Sequence, residues 1–257
     1  VMSNTSRVVL ITAGASGIGR VIAAHFAAQN YRVHVCDIDQ TAIDALNIDI
    51  PTISTTCADL TKISDVDLVF GDLIRHFGRL DILVNNVGIA GPTAAVEDIL
   101  PEQWNETITT DLNSIFYVTR KAVPLLKKSQ GNMINMSSNA GLFGCPLRSP
   151  YAAAKWAIIG LTKTWAMELG AFGVRVNAIC PGSVSGPRID KVIEIDAQTR
   201  DISPESVRQL YLQQNSLGVF VEAENIAQTV DFLCSEGAQH ITGQAIPIDG
   251  HTETLSS

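Results

Sequence analysis

Tyr151 and Lys155 stand four residues apart in Tyr151-Ala152-Ala153-Ala154-Lys155, and Ser138 lies thirteen residues upstream. On a helix that spacing puts the phenol and the ammonium on one face. An ammonium beside a phenol favours the phenolate, which suits the phenol to general acid/base work near neutral pH. A serine hydroxyl close by can hydrogen-bond a substrate oxygen and hold the reacting carbon in place. A second constellation lies near the start of the chain, in Thr12-Ala13-Gly14-Ala15-Ser16-Gly17-Ile18-Gly19. Here a strand-like run passes through a glycine-rich turn into a helix-period segment, the arrangement that cradles a phosphate: glycine allows close backbone approach, and the helix N-terminus offers free N–H groups. Asp37, followed by Ile38, comes 18 residues after Gly19. A carboxylate there can accept from ribose hydroxyls and repels a 2′-phosphate, so the sequence predicts NAD rather than NADP. Taken singly, each motif has an ordinary reading: a helix-surface pair, a polar loop residue, a connecting turn.

The elements that must position these residues follow from periodicity. Strand-like runs fall at Arg7–Thr12, Arg32–Cys36, Thr52–Cys57, Ile82–Asn85, Asn132–Met136, Val174–Ile179 and Ala245–Ile248. Helical segments are expected at Ile18–Gln29, Thr41–Leu46, Lys62–Phe77, Pro101–Lys128, Pro150–Leu169 and Glu222–Cys234. Such alternation builds a parallel sheet covered on both faces. It runs without a linker, so residues 1–257 are expected to form a single domain. One stretch, about 183–218, is too long for an ordinary connection and reads as a lid or binding loop, with helical fragments at Ile189–Ile195 and Glu205–Gln213.

Composition removes other classes. Apolar residues make up 46% of the 257, enough for a large core, and 18 Lys and Arg against 26 Asp and Glu leave a charge of −8. That balance argues against a nucleic-acid partner. Five scattered cysteines without a CxxC pair suit a reduced, cytoplasmic protein, and histidine spacing predicts no metal site. No apolar run reaches the roughly 20 residues a bilayer demands, so no membrane partner is expected.

With further matches, the chain resembles the short-chain dehydrogenases/reductases along essentially its whole length. The family's TGxxxGxG is similar to Thr12–Gly19, its adenine-contacting pair to Asp59-Leu60, its NNAG to Asn85-Asn86-Val87-Gly88 and its YxxxK to Tyr151–Lys155. Its Pro-Gly turn after the sixth strand matches Pro181-Gly182, followed by Val184 and Ser185. The resemblance implies a Rossmann-type doubly wound sheet of about seven strands and an NAD cofactor held by these segments together with Tyr151 and Lys155. It also implies catalysis by Ser138, Tyr151 and Lys155, with Asn113 as the fourth member. Three positions depart from the family pattern: Val87 for alanine, Ser185 for threonine, and His251 after Asp249-Gly250 for glycine.

The expected reaction interconverts an alcohol and its carbonyl partner. A pocket bounded by Asn139, Leu142, Cys145, Leu147, Arg148 and the 183–218 segment is expected, where Arg148 and Arg188 could grip a substrate anion in fork geometry. The alternative for both is a solvated loop arginine. Two other functions stay open: a 3-oxoacyl reductase of fatty-acid metabolism, disfavoured by Asp37 and the negative charge, and a non-catalytic NAD-sensing protein on the same scaffold. The resemblance implies a homotetramer, and the apolar faces around Ile115, Phe116 and Val118 and around Trp156, Ile158, Ile159 and Leu161 suit subunit contact.

Overall fold

The computed structural model describes residues 7–253 and Leu255. Its centre is β1 (Val8–Thr12), whose five residues are all buried. Side chains of a strand alternate between faces, so Val8 and Leu10 enter one hydrophobic core while Val9 and Ile11 enter another. A strand covered on both sides needs this continuous apolar run rather than a polar–apolar alternation. Around it, β2 (Arg32–Asp37), β3 (Ser54–Cys57), β4 (Ile82–Asn85), β5 (Asn132–Met136), β6 (Arg175–Pro181) and β7 (Ala245–Ile248) form one seven-stranded sheet. The order is β3-β2-β1-β4-β5-β6-β7, with every pairing parallel. This is the doubly wound Rossmann-type fold expected from the sequence.

One face carries α1 (Gly17–Ala28), α2 (Gln40–Asp49) and α9 (Ala223–Cys234), with Ile22 and Phe26 packed beside Val230 and Leu233. The opposite face carries α3 (Ile63–Phe77), α5 (Ser114–Ser129) and α6 (Ser149–Leu169). Burial of each such side chain contributes roughly 1.5–3 kcal/mol. The chain order reverses direction between β1 and β4, and at that point a parallel sheet opens a crevice beyond its strand ends.

The long helix expected over Pro101–Lys128 is interrupted. After α4 (Pro101–Ile108), residues Thr109–Asn113 form one π-helical turn before α5 begins. The inserted segment is also more regular than expected: it holds α7 (Pro187–Arg200) and α8 (Pro204–Gln213). These two helices share a small core of Ile193, Ala197 and Val207. Beneath the crevice a buried polar ladder joins strands to helices. The Asn85 amide donates to Asn135 Oδ1 at 2.8 Å and Thr119 Oγ1 at 3.1 Å, and Asn135 donates to Thr162 Oγ1 at 2.9 Å.

Candidate active site

The glycine loop leaves the end of β1 and turns into α1 behind Ser16, the residue that caps the helix. Gly17 takes φ +52°, a left-handed conformation natural to glycine. A Cβ on Gly19 would stand 2.3 Å from the Ala13 carbonyl and 2.6 Å from Asn86 Nδ2, so no larger residue fits. Asn86 ties the loop to β4, donating through Nδ2 to the carbonyls of Thr12 (3.2 Å) and Ala13 (3.0 Å). Asp37, buried at the end of β2, accepts from the Ala15 N–H at 3.0 Å and the Asp39 N–H at 3.1 Å. Its carboxylate therefore braces the loop.

Ser138 follows β5 and Tyr151 stands in the first turn of α6. Lys155, one turn further on, is almost fully buried and donates to the Met136 carbonyl at 3.2 Å. The Lys155 ammonium lies 5.4 Å from the centre of the Tyr151 ring, and the Arg148 guanidinium 5.1 Å from it. Ser138 Oγ accepts from the Ala140 N–H and donates to Asn139 Oδ1, each at 3.2 Å. Tyr151 thus stands beside two cations.

The π-turn changes which residue faces this cluster. Asp111, not Asn113, is fully buried against it, with Oδ2 3.6 Å from Lys155 Nζ and Oδ1 accepting the Ile89 N–H at 2.7 Å. Burial raises the Asp111 carboxyl above its usual range, opposed by the attraction of Lys155. Asn113, two residues on, is half-buried and does not line the cavity. Simple helical periodicity gives no sign of the wider turn, which brings Asp111 to the cluster where Asn113 was expected.

Ser138, Tyr151 and Lys155 line a cavity of about 780 Å³ together with Ser16, Gly17, Ile18, Asn86 and Gly88. Pro181, Gly182, Val184 and Ser185 border the same space, as do Arg148 and Arg188. The glycine-loop backbone, the open N-terminus of α1 and the polar cluster thus face one volume, which fits a dinucleotide laid along the strand ends with a substrate beyond it. Gly14, Gly19, Asp37, Ile38, Asp59, Leu60 and Val87 do not line it. Gly14 and Gly19 support the loop from behind. Asp59 is held by Thr61, whose hydroxyl donates to it at 2.7 Å and is the main cause of its lowered carboxyl pKa.

Of the expected pocket walls, Asn139, Cys145 and Arg148 border the cavity, but Leu142 and Leu147 do not. Leu142 instead packs on Ile159, Ala178 and Cys180. Both arginines are braced by backbone: Arg148 donates to the Ala90 carbonyl at 2.7 Å and Arg188 to the Gly88 carbonyl at 3.2 Å. Arg148 Nε is buried without a hydrogen-bond partner. The far wall comes from α7 and α8, where Asp196 accepts from Arg200 Nε at 2.6 Å and from the Tyr211 hydroxyl at 3.4 Å. Burial, with Asp196 beside it, pushes the Tyr211 phenol up to about 12. Sequence reasoning missed this group, although the i,i+4 spacing of Asp196 and Arg200 in a helix-period stretch was a usable signal.

A family model described as enoyl-(acyl carrier protein) reductase matches residues 12–251. The chain belongs to the short-chain dehydrogenase/reductase family. Within that family it is 35% identical to the 3-oxoacyl-[acyl-carrier-protein] reductase of Thermotoga maritima, over 95% of this chain and 96% of that one. It is 37% identical to the D-beta-hydroxybutyrate dehydrogenase of Cupriavidus necator, over 94% of this chain and 95% of that one. Among solved structures, an actinorhodin polyketide ketoreductase variant with NADPH superposes with a TM-score of 0.92 at 27% identity, covering 97% and 98% of the two chains. An NAD⁺-bound xylitol dehydrogenase gives 0.91 at 25% identity, covering 96% and 99%.

The departures from the short-chain dehydrogenase/reductase pattern have visible accommodations. Val87 packs into the core shared with α5 and α6, and its N–H donates to Thr12 Oγ1 at 3.2 Å. The Ser185 hydroxyl donates to Glu222 Oε1 at 2.9 Å. His251 takes φ +68°, where glycine would be at ease, and its Nδ1 is tied to Ser216 Oγ at 2.7 Å.

Proposed function

We propose that this protein is an NAD-dependent oxidoreductase that interconverts an alcohol and its aldehyde or ketone. The observation that carries the reading is the single cavity in which Ser138, Tyr151 and Lys155 meet the glycine loop and the α1 N-terminus. A nicotinamide dinucleotide, when bound, supplies the hydride acceptor or donor. Gly17, Ile18 and the first N–H groups of α1 would hold its pyrophosphate, while Asn86, Gly88, Lys155, Pro181, Gly182, Val184 and Ser185 would border its nicotinamide half. In oxidation Tyr151 takes the proton of the substrate hydroxyl, and in reduction it returns one to the carbonyl oxygen. Ser138 donates a hydrogen bond to that oxygen and fixes the reacting carbon. Lys155 supplies positive charge beneath the phenol. NAD over NADP rests on the Asp37 carboxylate, whose charge opposes a 2′-phosphate.

For the substrate, an anionic hydroxy acid or a diol is favoured by Arg148 and Arg188 on the cavity wall. The similarity to a D-beta-hydroxybutyrate dehydrogenase supports the same class. A second reading, 3-oxoacyl reduction, is supported by the similarity to the Thermotoga maritima enzyme. The protein would work in the cytoplasm, as a homotetramer. The test is NADH formation from NAD⁺ with 3-hydroxybutyrate, xylitol, L-fucose and simple alcohols, and NADH or NADPH consumption with a 3-oxoacyl thioester. Turnover should fall by about 10²–10⁴ in Tyr151→Phe. Full activity in that variant would remove the acid/base assignment, and cofactor binding without turnover of any substrate would favour the sensing alternative.

A further inference from the structure

The far wall of the cavity carries more charge than the packing of two helices requires. α7 and α8 are already joined by Ile193, Ala197 and Val207. Asp196, from the same stretch of α7, is nevertheless buried, and a carboxylate taken out of water is costly unless its partners are well placed. Those partners are Arg200, whose Nε donates to Oδ1 at 2.6 Å, and Tyr211, whose hydroxyl donates to Oδ2 at 3.4 Å. Both border the cavity with it. The bond through Nε orients the Arg200 guanidinium and leaves its terminal nitrogens without a hydrogen bond among the described residues. The side chain is 23% exposed, so a molecule in the cavity can reach it. Arg148 has donors to spare as well. One terminal nitrogen donates to the Ala90 carbonyl, the guanidinium lies 5.1 Å from the centre of the Tyr151 ring, and Nε is buried without a partner. A buried donor left unpaired is costly, and the protein supplies no acceptor for it. Tyr211 lies within electrostatic reach of both arginines, which gathers them about one part of the cavity. Arg188 adds a third guanidinium to the wall, whereas Glu222 is engaged by the Ser185 hydroxyl beside the cofactor segment.

We propose that Arg200, held by Asp196 and Tyr211, is a specificity-determining residue that takes the anionic group of the substrate together with Arg148. The substrate is then an oxo or hydroxy acid whose carboxylate lies toward α7 when its reacting carbon meets Tyr151. Recognition in this form rests on Tyr151 as the acid/base group and on an anionic substrate. A planar guanidinium fork matches the two oxygens of a carboxylate better than a point charge does. Because Asp196 sets the Arg200 fork before a ligand arrives, little side-chain freedom is lost on binding. Val192 and Leu210 border the same cavity and suit a short hydrocarbon stem between carbonyl and carboxylate.

The test uses the protein saturated with its oxidised nicotinamide cofactor, in which an oxo acid binds but has no hydride to accept. 3-Oxobutanoate, 4-oxopentanoate and 5-oxohexanoate are titrated calorimetrically, each against its methyl ester. At least one acid should bind about ten- to hundredfold tighter than its ester. Arg200→Gln, which can still donate to Asp196, should remove that advantage, and Arg200→Lys, which keeps the charge without the fork, should restore only part of it. No advantage of acid over ester in the wild type, or one that survives in Arg200→Gln, would overturn the proposal. Equal loss of acid and ester binding in Arg200→Gln would assign the Asp196–Arg200 pair to the structure of α7 and overturn it as well. Should Arg200→Gln fail to fold, Arg200→Lys decides alone, since an advantage there as large as in the wild type sinks the anion site. Undiminished turnover in Tyr151→Phe would remove the acid/base reading and leave the acid–ester comparison to decide the arginines. Turnover lost in Tyr151→Phe, with acid and ester bound alike, would remove the anion site and leave the reaction in place.

Discussion

Asp37 places both carboxylate oxygens on backbone N–H groups, one of them in the glycine loop, so a single side chain shapes the turn and sets its charge. Replacing it by alanine should lower the ratio of kcat/KM for NAD⁺ over NADP⁺ by about tenfold or more, since each 1.4 kcal/mol of lost discrimination is a factor of ten. An unchanged ratio would show that Asp37 braces the loop and does not choose the cofactor. Arg188 makes a different case. Its brace on the Gly88 carbonyl engages one nitrogen of the fork and leaves the others for a ligand. Arg188→Ala should raise KM for an anionic substrate about tenfold with kcat little changed, the mark of lost ground-state binding. Equal KM values would assign this arginine to the loop alone. At this scale the sequence was informative where a motif has fixed spacing, as in Tyr151 and Lys155. It gave no sign that Asp111 lies against Lys155 while Asn113 does not line the cavity, because a five-residue turn alters which side chain points inward without altering composition.

Among the elements, β2 carries a histidine that belongs to its packing. His34 is fully buried, with Nδ1 3.0 Å from Ser54 Oγ and Nε2 3.1 Å from Thr56 Oγ1, while Thr56 in turn donates to Asp72 at 2.7 Å. Burial lowers the ring's pKa to about 4. Above pH ~6.5 both folded and unfolded chains hold it neutral; below that the unfolded chain takes up a proton first. Stability should therefore decline as pH falls from ~6.5 to about 4, by roughly 3 kcal/mol over the window. Urea unfolding at pH 7 and pH 4.5 would show it, with a smaller acid loss in His34→Val. Equal losses in the two proteins would contradict this account. Strands and helices of the sheet were legible because buried runs and helical spacing are local signals. In the inserted segment α8 was expected to within one residue, but the end of α7 was not, since it runs five residues past the expected Ile195, where its apolar positions pack on α8 and cover a cavity rather than the sheet.

At the scale of the whole molecule, much of the apolar surface assigned to subunit contact turns out to be internal. Ile115, Val118, Ile158 and Ile159 are buried in the chain's own cores, whereas Phe116 on α5 and Trp156 on α6 are about half exposed. Among the described residues no helix is long and apolar enough to cross a membrane. We expect a homotetramer by light scattering at micromolar concentration, and a smaller species in Phe116→Glu. A monomeric wild-type protein would contradict that expectation. A single sequence shows which helical positions are apolar, but not whether the same chain or a second copy covers them.

The α7–α8 unit has its own small core, and the chain on either side of it is tied by isolated bridges of Val184 to Val221 and Asn215 to Thr252. Proton transfer is assigned to residues outside it, on the sheet's strand ends and α6. Substitutions on its inward face can therefore reshape what is admitted without redesigning the reaction itself. In hereditary terms, the share of the cavity wall that α7 and α8 contribute lies in a stretch of the chain apart from Ser138, Tyr151 and Lys155, and one can drift while the other stays fixed.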